Sequence, residues 1–175
     1  MREGWREEAV AKQHDRKAFD CGEPSLNEYL QRFARQNHES GGAKTFVAVA
    51  ADERTRILGY YTISPGAIAF ARVPGALTRK LGRYELPVFR LGRLAVSRAV
   101  QGQGLGGELL LACGERCLAV AREVGGVAIA IDAKSVGAAK WYGQFGAISL
   151  LDDPLKLVLP LDMVAAAISL AIRKP

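Results

Sequence analysis

The chain has 175 residues, 49% hydrophobic and 24% charged, with a formal net charge of +6; this is enough apolar material for one real core and too much for a disordered chain. The longest apolar run near the end, Met163 to Ile172, is too short to span a bilayer, and the start, Met1-Arg2-Glu3-Gly4-Trp5-Arg6-Glu7-Glu8, is too charged for a secretory signal. Three cysteines, Cys21, Cys113 and Cys117, are odd in number and lack Cys-x-x-Cys spacing, so neither a disulfide framework nor a metal site is expected, and a reducing cytoplasm is.

Trp5 to Ala18 reads as an irregular first strand and a loop, with Lys12, His14, Arg16 and Lys17 exposed. His14 and His38 are the only histidines; neither has a partner at metal or triad spacing, and both are expected at the surface. Ser25 and Glu28 have the spacing of a capping box behind Pro24. The helix they open would carry Leu26, Tyr29, Leu30, Phe33 and Ala34 on one face and stop near Gly41-Gly42. Lys44 to Ala50 is apolar enough for a buried strand, and Ile57 to Ser64 should pair with it across the Asp52–Thr55 turn.

Pro65-Gly66 and Pro74-Gly75 then punctuate a region expected to hold a loop or short helix, and Pro87 starts a strand running to Val96. Leu105 to Val124 has helical periodicity, with Leu105, Leu109, Ala112, Cys113, Val120 and Val124 as the core stripe and Glu108, Glu115, Arg122 and Glu123 outside. Gly125-Gly126 stops it, and Val127 to Asp132 is a continuous apolar strand of the buried, parallel kind. Ser135 to Phe145 predicts a short helix closed by Gly146, Lys156 to Leu159 a last strand, and Leu161 to Ile172 a small apolar helix. The chain lacks repeats and linkers, so a single α/β domain over residues 1–175 is expected.

Charge is concentrated in one place. Between Ala71 and Arg98 lie Arg72, Arg79, Lys80, Arg83, Arg90, Arg93 and Arg98 against Glu85 alone, which accounts for the whole excess. Such a run is either a solvated face or the footprint of a polyanion, with nucleic acid the obvious candidate.

Directly after it comes Gln101-Gly102-Gln103-Gly104-Leu105-Gly106-Gly107, between a strand and a helix. Glycines let consecutive backbone N–H groups converge, and the helix N-terminus adds partial positive charge, so the stretch reads as a pyrophosphate cradle. A dinucleotide fold would place its first glycine at the strand end, whereas Ser97 to Val100 intervene here. A P-loop would need a lysine, and none is present there.

The spacing Gln-x-x-Gly-x-Gly from Gln101 resembles the acetyl-coenzyme A signature of the GNAT acetyltransferases. Phe19-Asp20-Cys21-Gly22, followed by Leu26-Asn27-Glu28-Tyr29-Leu30, looks like the opening of the GNAT toxins of type II toxin–antitoxin systems. Lys140-Trp141-Tyr142-Gly143-Gln144-Phe145-Gly146-Ala147 resembles the family's tyrosine-bearing segment, with Trp141 and Ala147 replacing the more usual aromatics. The resemblance covers roughly Phe19 to Pro160. It implies the GNAT acyltransferase fold, a mixed central sheet splayed between its fourth and fifth strands with flanking helices.

It also implies acetyl-coenzyme A as co-substrate and Tyr142 as the acid that protonates the departing thiolate. Leu94, Ala95 and Val96 would meet the pantetheine arm; Gln101, Gly102, Gln103, Gly104, Leu105, Gly106 and Gly107 would hold the pyrophosphate. Lys134 and Ser135 are further candidates for coenzyme contact. Arg72, Arg79, Lys80, Arg83, Arg90 and Arg93 would follow a tRNA backbone.

The only carboxylate in the basic segment is Glu85, and no histidine lies nearby in sequence. An α-amine, with a pKa of about 8, needs less help losing its proton than a lysine at about 10.4. An aminoacyl-tRNA fits that requirement, as it does the toxin resemblance, which further implies a ribbon-helix-helix antitoxin, DNA bound through the complex, and room for a homodimer. Acetylation of a small amine or a protein N-terminus, and a non-catalytic binding module, are the competing expectations.

Overall fold

The computed structural model describes residues 4–78 and 84–172. The chain divides into two compact units, one made of Met1–Ser64 with Gly92–Leu110, the other of Pro65–Leu91 with Leu111–Pro175. Among the described residues, seven strands follow the order β1-β2-β3-β4-β5-β7-β6.

In the first unit, β1 (Trp5–Ala9) runs antiparallel to β2 (Lys44–Ala50), from Trp5↔Ala50 to Ala9↔Phe46. β2 is antiparallel to β3 (Ile57–Ile68), with a bulge at Ala48/Val49. Between β1 and β2 stand α1 (Pro24–Glu28), a π-helical turn (Tyr29–Phe33) and α2 (Ala34–Ser40), ended by Gly41 at φ +83°. Phe19, Tyr29, Leu30, Ala34, Val47, Val49, Tyr60 and Ala95 are among the residues of its core. The Tyr60 hydroxyl donates to the Leu26 carbonyl at 2.7 Å, so this large buried ring keeps its polar end satisfied. Gly59 lets that core close: a Cβ there would lie 2.8 Å from both the Ala95 carbonyl oxygen and a Leu109 methyl.

The second unit holds α3 (Gly75–Thr78), the first half of β4 (Leu86–Val96), β5 (Ala128–Asp132), β6 (Ile148–Ser149) and β7 (Lys156–Pro160). β4 and β5 are parallel, from Val88↔Ala128 to Leu91↔Ile131, while β5–β7 and β6–β7 are antiparallel, giving the mixed pattern. β4 itself continues to Val96, so Leu94, Ala95 and Val96 lie past its last β5 partner. α4 (Leu105–Val124) begins in the first unit and ends in the second, which also carries α5 (Val136–Gly143) and α6 (Leu161–Ile172). Gly114 of α4 permits close helix packing, since a Cβ would stand 2.5 Å from a Val164 methyl. Among the described residues, no helix is long and apolar enough to cross a membrane.

Several local expectations fail for identifiable reasons. The Ser25/Glu28 capping box does not form: Pro24 takes the first helical position, and the cap falls to extended Glu23, whose carbonyl accepts from Leu26 and Asn27. Pro65 and Gly66 do not break the chain but lie inside β3, where the bare Gly66 accommodates Val88 and Arg90. Val120 and Val124 are 41% and 76% exposed, and the buried stripe of α4 takes in Leu110 and Cys117 instead. Glu108 is not simply outside but receives a hydrogen bond from the indole N–H of buried Trp5.

His14 is not a surface residue either, being only 3% exposed. Its Nδ1 accepts from the Ala11 N–H, leaving Nε2 to donate to Glu8 at 3.1 Å. Burial works to raise the Glu8 pKa, but hydrogen bonds from Arg54 and His14 outweigh it and hold that carboxyl below its ordinary value. His38 Nδ1 accepts from the Thr45 N–H at 3.0 Å. The two histidines brace loops, a role that sequence spacing does not display.

Candidate acyl-transfer site

The glycine loop stands in the first unit. After β4, Ser97 donates its N–H to the Leu58 carbonyl at 2.8 Å, and a single 3-10 turn, Arg98–Val100, leads into Gln101. Gly102 and Gly104 take φ +77° and +88°, the left-handed region that favours glycine. A Cβ on either would meet nothing within 4 Å, so the loop is open on that side. Gln101, Gly102, Gln103 and Gly104 are exposed; Leu105 is buried as the anchor of α4, with Gly106 and Gly107 half-buried in its first turn.

The first N–H groups of a helix have no intrahelical acceptor. Here they belong to a 20-residue helix, whose macrodipole favours negative charge at that end. The arrangement could hold a phosphate-bearing ligand on main-chain donors.

Gln101 has a different part from that expected of a ligand-binding side chain. Its Nε2 donates to the carbonyls of Cys21 and Val96, both at 2.9 Å. Its side-chain donors are therefore spent on the scaffold, and the main chain that follows is left for a ligand. Of the pantetheine candidates, Ala95 is buried in the core of its unit, and Leu94 and Val96 are half-buried beside it on β4.

Tyr142 stands in the second unit, on α5. That helix begins cleanly because Ser135 is its cap, accepting on Oγ from the Ala138 N–H at 3.1 Å. Ser135 is thus occupied structurally, and Lys134 beside it is exposed. The helix closes through Gly146 at φ +97°, with the Phe145 and Ala147 N–H groups bonded to the Tyr142 carbonyl. Trp141 packs edge-on to Tyr142 at 4.9 Å and tilts against Phe145 at 4.8 Å. Burial, with a smaller contribution from Cys113, pushes the half-buried Tyr142 phenol up to about 12. The hydroxyl therefore keeps its proton across the neutral range and can act as a donor.

The basic segment separates into cations with different partners. Arg72 meets Asp152 at 2.8 Å, Arg98 meets Asp20 at 3.5 Å, and Arg90 stands 4.0 Å from Asp132. Arg93 instead lies over the Tyr29 ring, its guanidinium carbon 3.6 Å from the centroid. Arg79, Lys80 and Arg83 lie outside the described residues. Glu85 is exposed. Among the described residues, no group of three or more His, Cys, Asp or Glu side chains could hold a metal.

Comparison with known proteins agrees with this geometry. Residues 8–147 match the profile of the Acetyltransferase (GNAT) family. The chain is 38% identical over 142 residues to a tRNA-acetylating toxin of Mycobacterium tuberculosis (strain ATCC 25618 / H37Rv), covering 81% of this chain and 83% of that protein. The solved structure of AtaT complexed with acetyl-methionyl-tRNAfMet is 25% identical with a TM-score of 0.85, over 96% of this chain and 99% of that one. AtaTR bound with AcCoA is 25% identical with a TM-score of 0.81, over 94% and 98%. The KacTA–DNA complex is 27% identical with a TM-score of 0.79, over 94% and 98%. With the family profile covering most of its length, and a glycine loop opening a long helix after β4, the chain belongs to the GNAT family of acetyltransferases.

Proposed function

We propose that this acetyltransferase is a toxin that moves acetyl from acetyl-coenzyme A to the α-amino group of the amino acid on charged tRNA, and so blocks translation. The observation that carries the reading is the open glycine loop, with Gly102 and Gly104 left-handed ahead of the α4 N-terminus. The likeness to the tRNA-acetylating toxin supports the acceptor, and the AcCoA-bound and tRNA-bound neighbours support both reactants.

In this reading one domain, spanning residues 1–175, works in the cytoplasm. A ribbon-helix-helix antitoxin holds it, and the pair binds DNA; the KacTA–DNA complex supports the DNA part of this reading.

Acetyl-coenzyme A supplies an activated acetyl thioester when bound. The residues that would hold it are the main chain of Leu94 to Val96 and of Gly102 to Gly107, with Gln101 bracing the loop. Tyr142 keeps a proton on its hydroxyl oxygen, raised to about 12, for the sulfur that departs. The acceptor amine needs little help here: with a pKa of about 8 it is substantially neutral already, so a site without an evident base suffices. Arg93, half-buried over the Tyr29 ring where Arg72, Arg90 and Arg98 face carboxylates, is the cation of the basic segment we assign to a substrate phosphate.

A second reading, acetylation of a small amine or a protein N-terminus, draws on one observation: Arg72, Arg90 and Arg98 already face carboxylates, which shrinks the cationic footprint. Incubation with labelled acetyl-coenzyme A, a charged tRNA pool and a panel of small amines separates the two. Label on the aminoacyl moiety is expected; label on small amines alone would overturn the toxin reading.

A further inference from the structure

The structure holds a hydrogen-bond network inside the opening motif, in the segment Asp20-Cys21-Gly22 and in Asn27 of α1, residues to which the resemblance gives no role. The Cys21 N–H donates to Asn27 Oδ1 at 2.9 Å, which fixes the orientation of the amide. Asn27 Nδ2 then faces Asp20 Oδ1 at 2.9 Å, and the Gly22 N–H donates to the same oxygen at 2.8 Å. The hydrogen bond from Asn27, then that from Gly22, hold the Asp20 carboxyl below its ordinary pKa.

The far side of this segment carries the glycine loop. The Asp20 carbonyl accepts from the Arg98 N–H at 2.9 Å, and the Asp20 carboxylate meets the Arg98 guanidinium. The Cys21 carbonyl accepts from Gln101 Nε2. Gly22, at φ +87°, turns the chain against Arg98, whose Nε would lie 3.4 Å from a Cβ there.

We infer that Asn27 and Asp20 are positioning residues for the coenzyme loop, and that Asn27, Asp20–Cys21 and Gln101 form one latch setting where the loop's N–H groups point. This rests on the acetyl-coenzyme A reading of the loop. The position requires an amide: Oδ1 must accept from a main-chain N–H while Nδ2 donates to a carboxylate. Aspartate cannot donate and would set two carboxylates against each other; alanine can do neither. The latch also ties the loop to the helix that presents Tyr29 to Arg93, with Asn27 and Tyr29 two residues apart.

The test is calorimetric titration of acetyl-coenzyme A into wild type, Asn27→Ala, Asn27→Asp, Gln101→Met and the Asn27→Ala/Gln101→Met double variant. Amide hydrogen exchange of residues 101–107 is measured on each protein without coenzyme. Each single change should weaken affinity roughly 5- to 30-fold, the scale of one or two lost hydrogen bonds, and speed exchange in the loop. KM for the coenzyme should rise, with kcat at saturation retained. Because the residues act as one latch, the double variant should be little weaker than the weaker single.

Unchanged affinity and unchanged loop exchange in Gln101→Met, whose substitution sits on an exposed loop, would overturn the latch even if Asn27→Ala fails to fold. Fully multiplicative losses in the double variant would overturn it too. Faster loop exchange in variants of a wild type that binds no acetyl-coenzyme A would uphold the latch and remove the acyl-donor reading.

Discussion

The guanidinium carbon of Arg93 lies over the Tyr29 ring, 3.6 Å from its centroid, and Tyr29 in turn stacks on Tyr60 at 6.4 Å. Arg93 comes from β4, and Tyr29 opens the π-helical turn after α1. The ring face holds the cation in place, and a guanidinium so held still has N–H donors of the kind that bind a phosphate.

Replacing Arg93 by Gln is therefore expected to weaken charged-tRNA binding and to shallow the dependence of log K on log salt by about 0.7–0.9, the share of one phosphate contact. Acetyl-coenzyme A affinity should stay close to wild type. Filter binding at four or five salt concentrations checks it; parallel salt slopes would assign Arg93 to packing alone.

Tyr142→Phe should lower kcat by about 10²- to 10⁴-fold while leaving coenzyme affinity near wild type, since the hydroxyl acts on the leaving sulfur and not on the bound ground state. The Trp141 contact uses the ring, which phenylalanine retains. Single-turnover rates read beside calorimetry decide the matter, and near-normal turnover would exclude Tyr142 from the chemistry.

Gly104→Val acts by strain more than by collision inside the protein. At φ +88°, with no atom within 4 Å of a Cβ, the position has room for a side chain but not the backbone preference for one. A cost of about 1–2 kcal/mol is expected, together with loss of coenzyme affinity because the isopropyl group stands where a phosphate would approach. A folded variant that binds acetyl-coenzyme A as tightly as wild type would refute the cradle.

The raised phenol pKa of Tyr142 predicts a signature in alkali. A folded-state pKa of about 12 against an ordinary value of 10 means the native state keeps a proton that the unfolded state gives up. That contribution to stability is complete below pH 10 and is lost as pH rises toward 12. Tyr60, also pushed up by burial, adds to the same loss. The melting temperature should fall by a few degrees across this window, and less in Tyr142→Phe; equal declines in both proteins would contradict the burial of the phenol.

Much of this protein was legible in its sequence, because the relevant signals are local. Periodicity and glycine punctuation placed α4 at Leu105–Val124 and α6 at Leu161–Ile172, and put β5 at Val127–Asp132, one residue longer than the observed Ala128–Asp132. The glycine loop could be read because a left-handed backbone at Gly102 and Gly104 requires that residue type. The two-residue strand β6, Ile148–Ser149, was invisible, since so short a segment shows no alternation to read.

Tertiary structure alone decided which polar groups meet. Sequence spacing says nothing about a partner eighty residues away, so the donation from the Gln101 amide to the Cys21 carbonyl, as well as to nearby Val96, shows only in the fold. His14 looked exposed because its partner Glu8 becomes one only when the chain turns back at Ala11. The basic segment showed in sequence only its excess of cations; the carboxylates that meet Arg98, Arg90 and Arg72, those of Asp20, Asp132 and Asp152, lie 42 to 80 positions away. Hydrophobic patterning selects the face each element buries. The pairing of charges and hydrogen bonds, which decides what each polar side chain is free to do, follows only once those faces have closed.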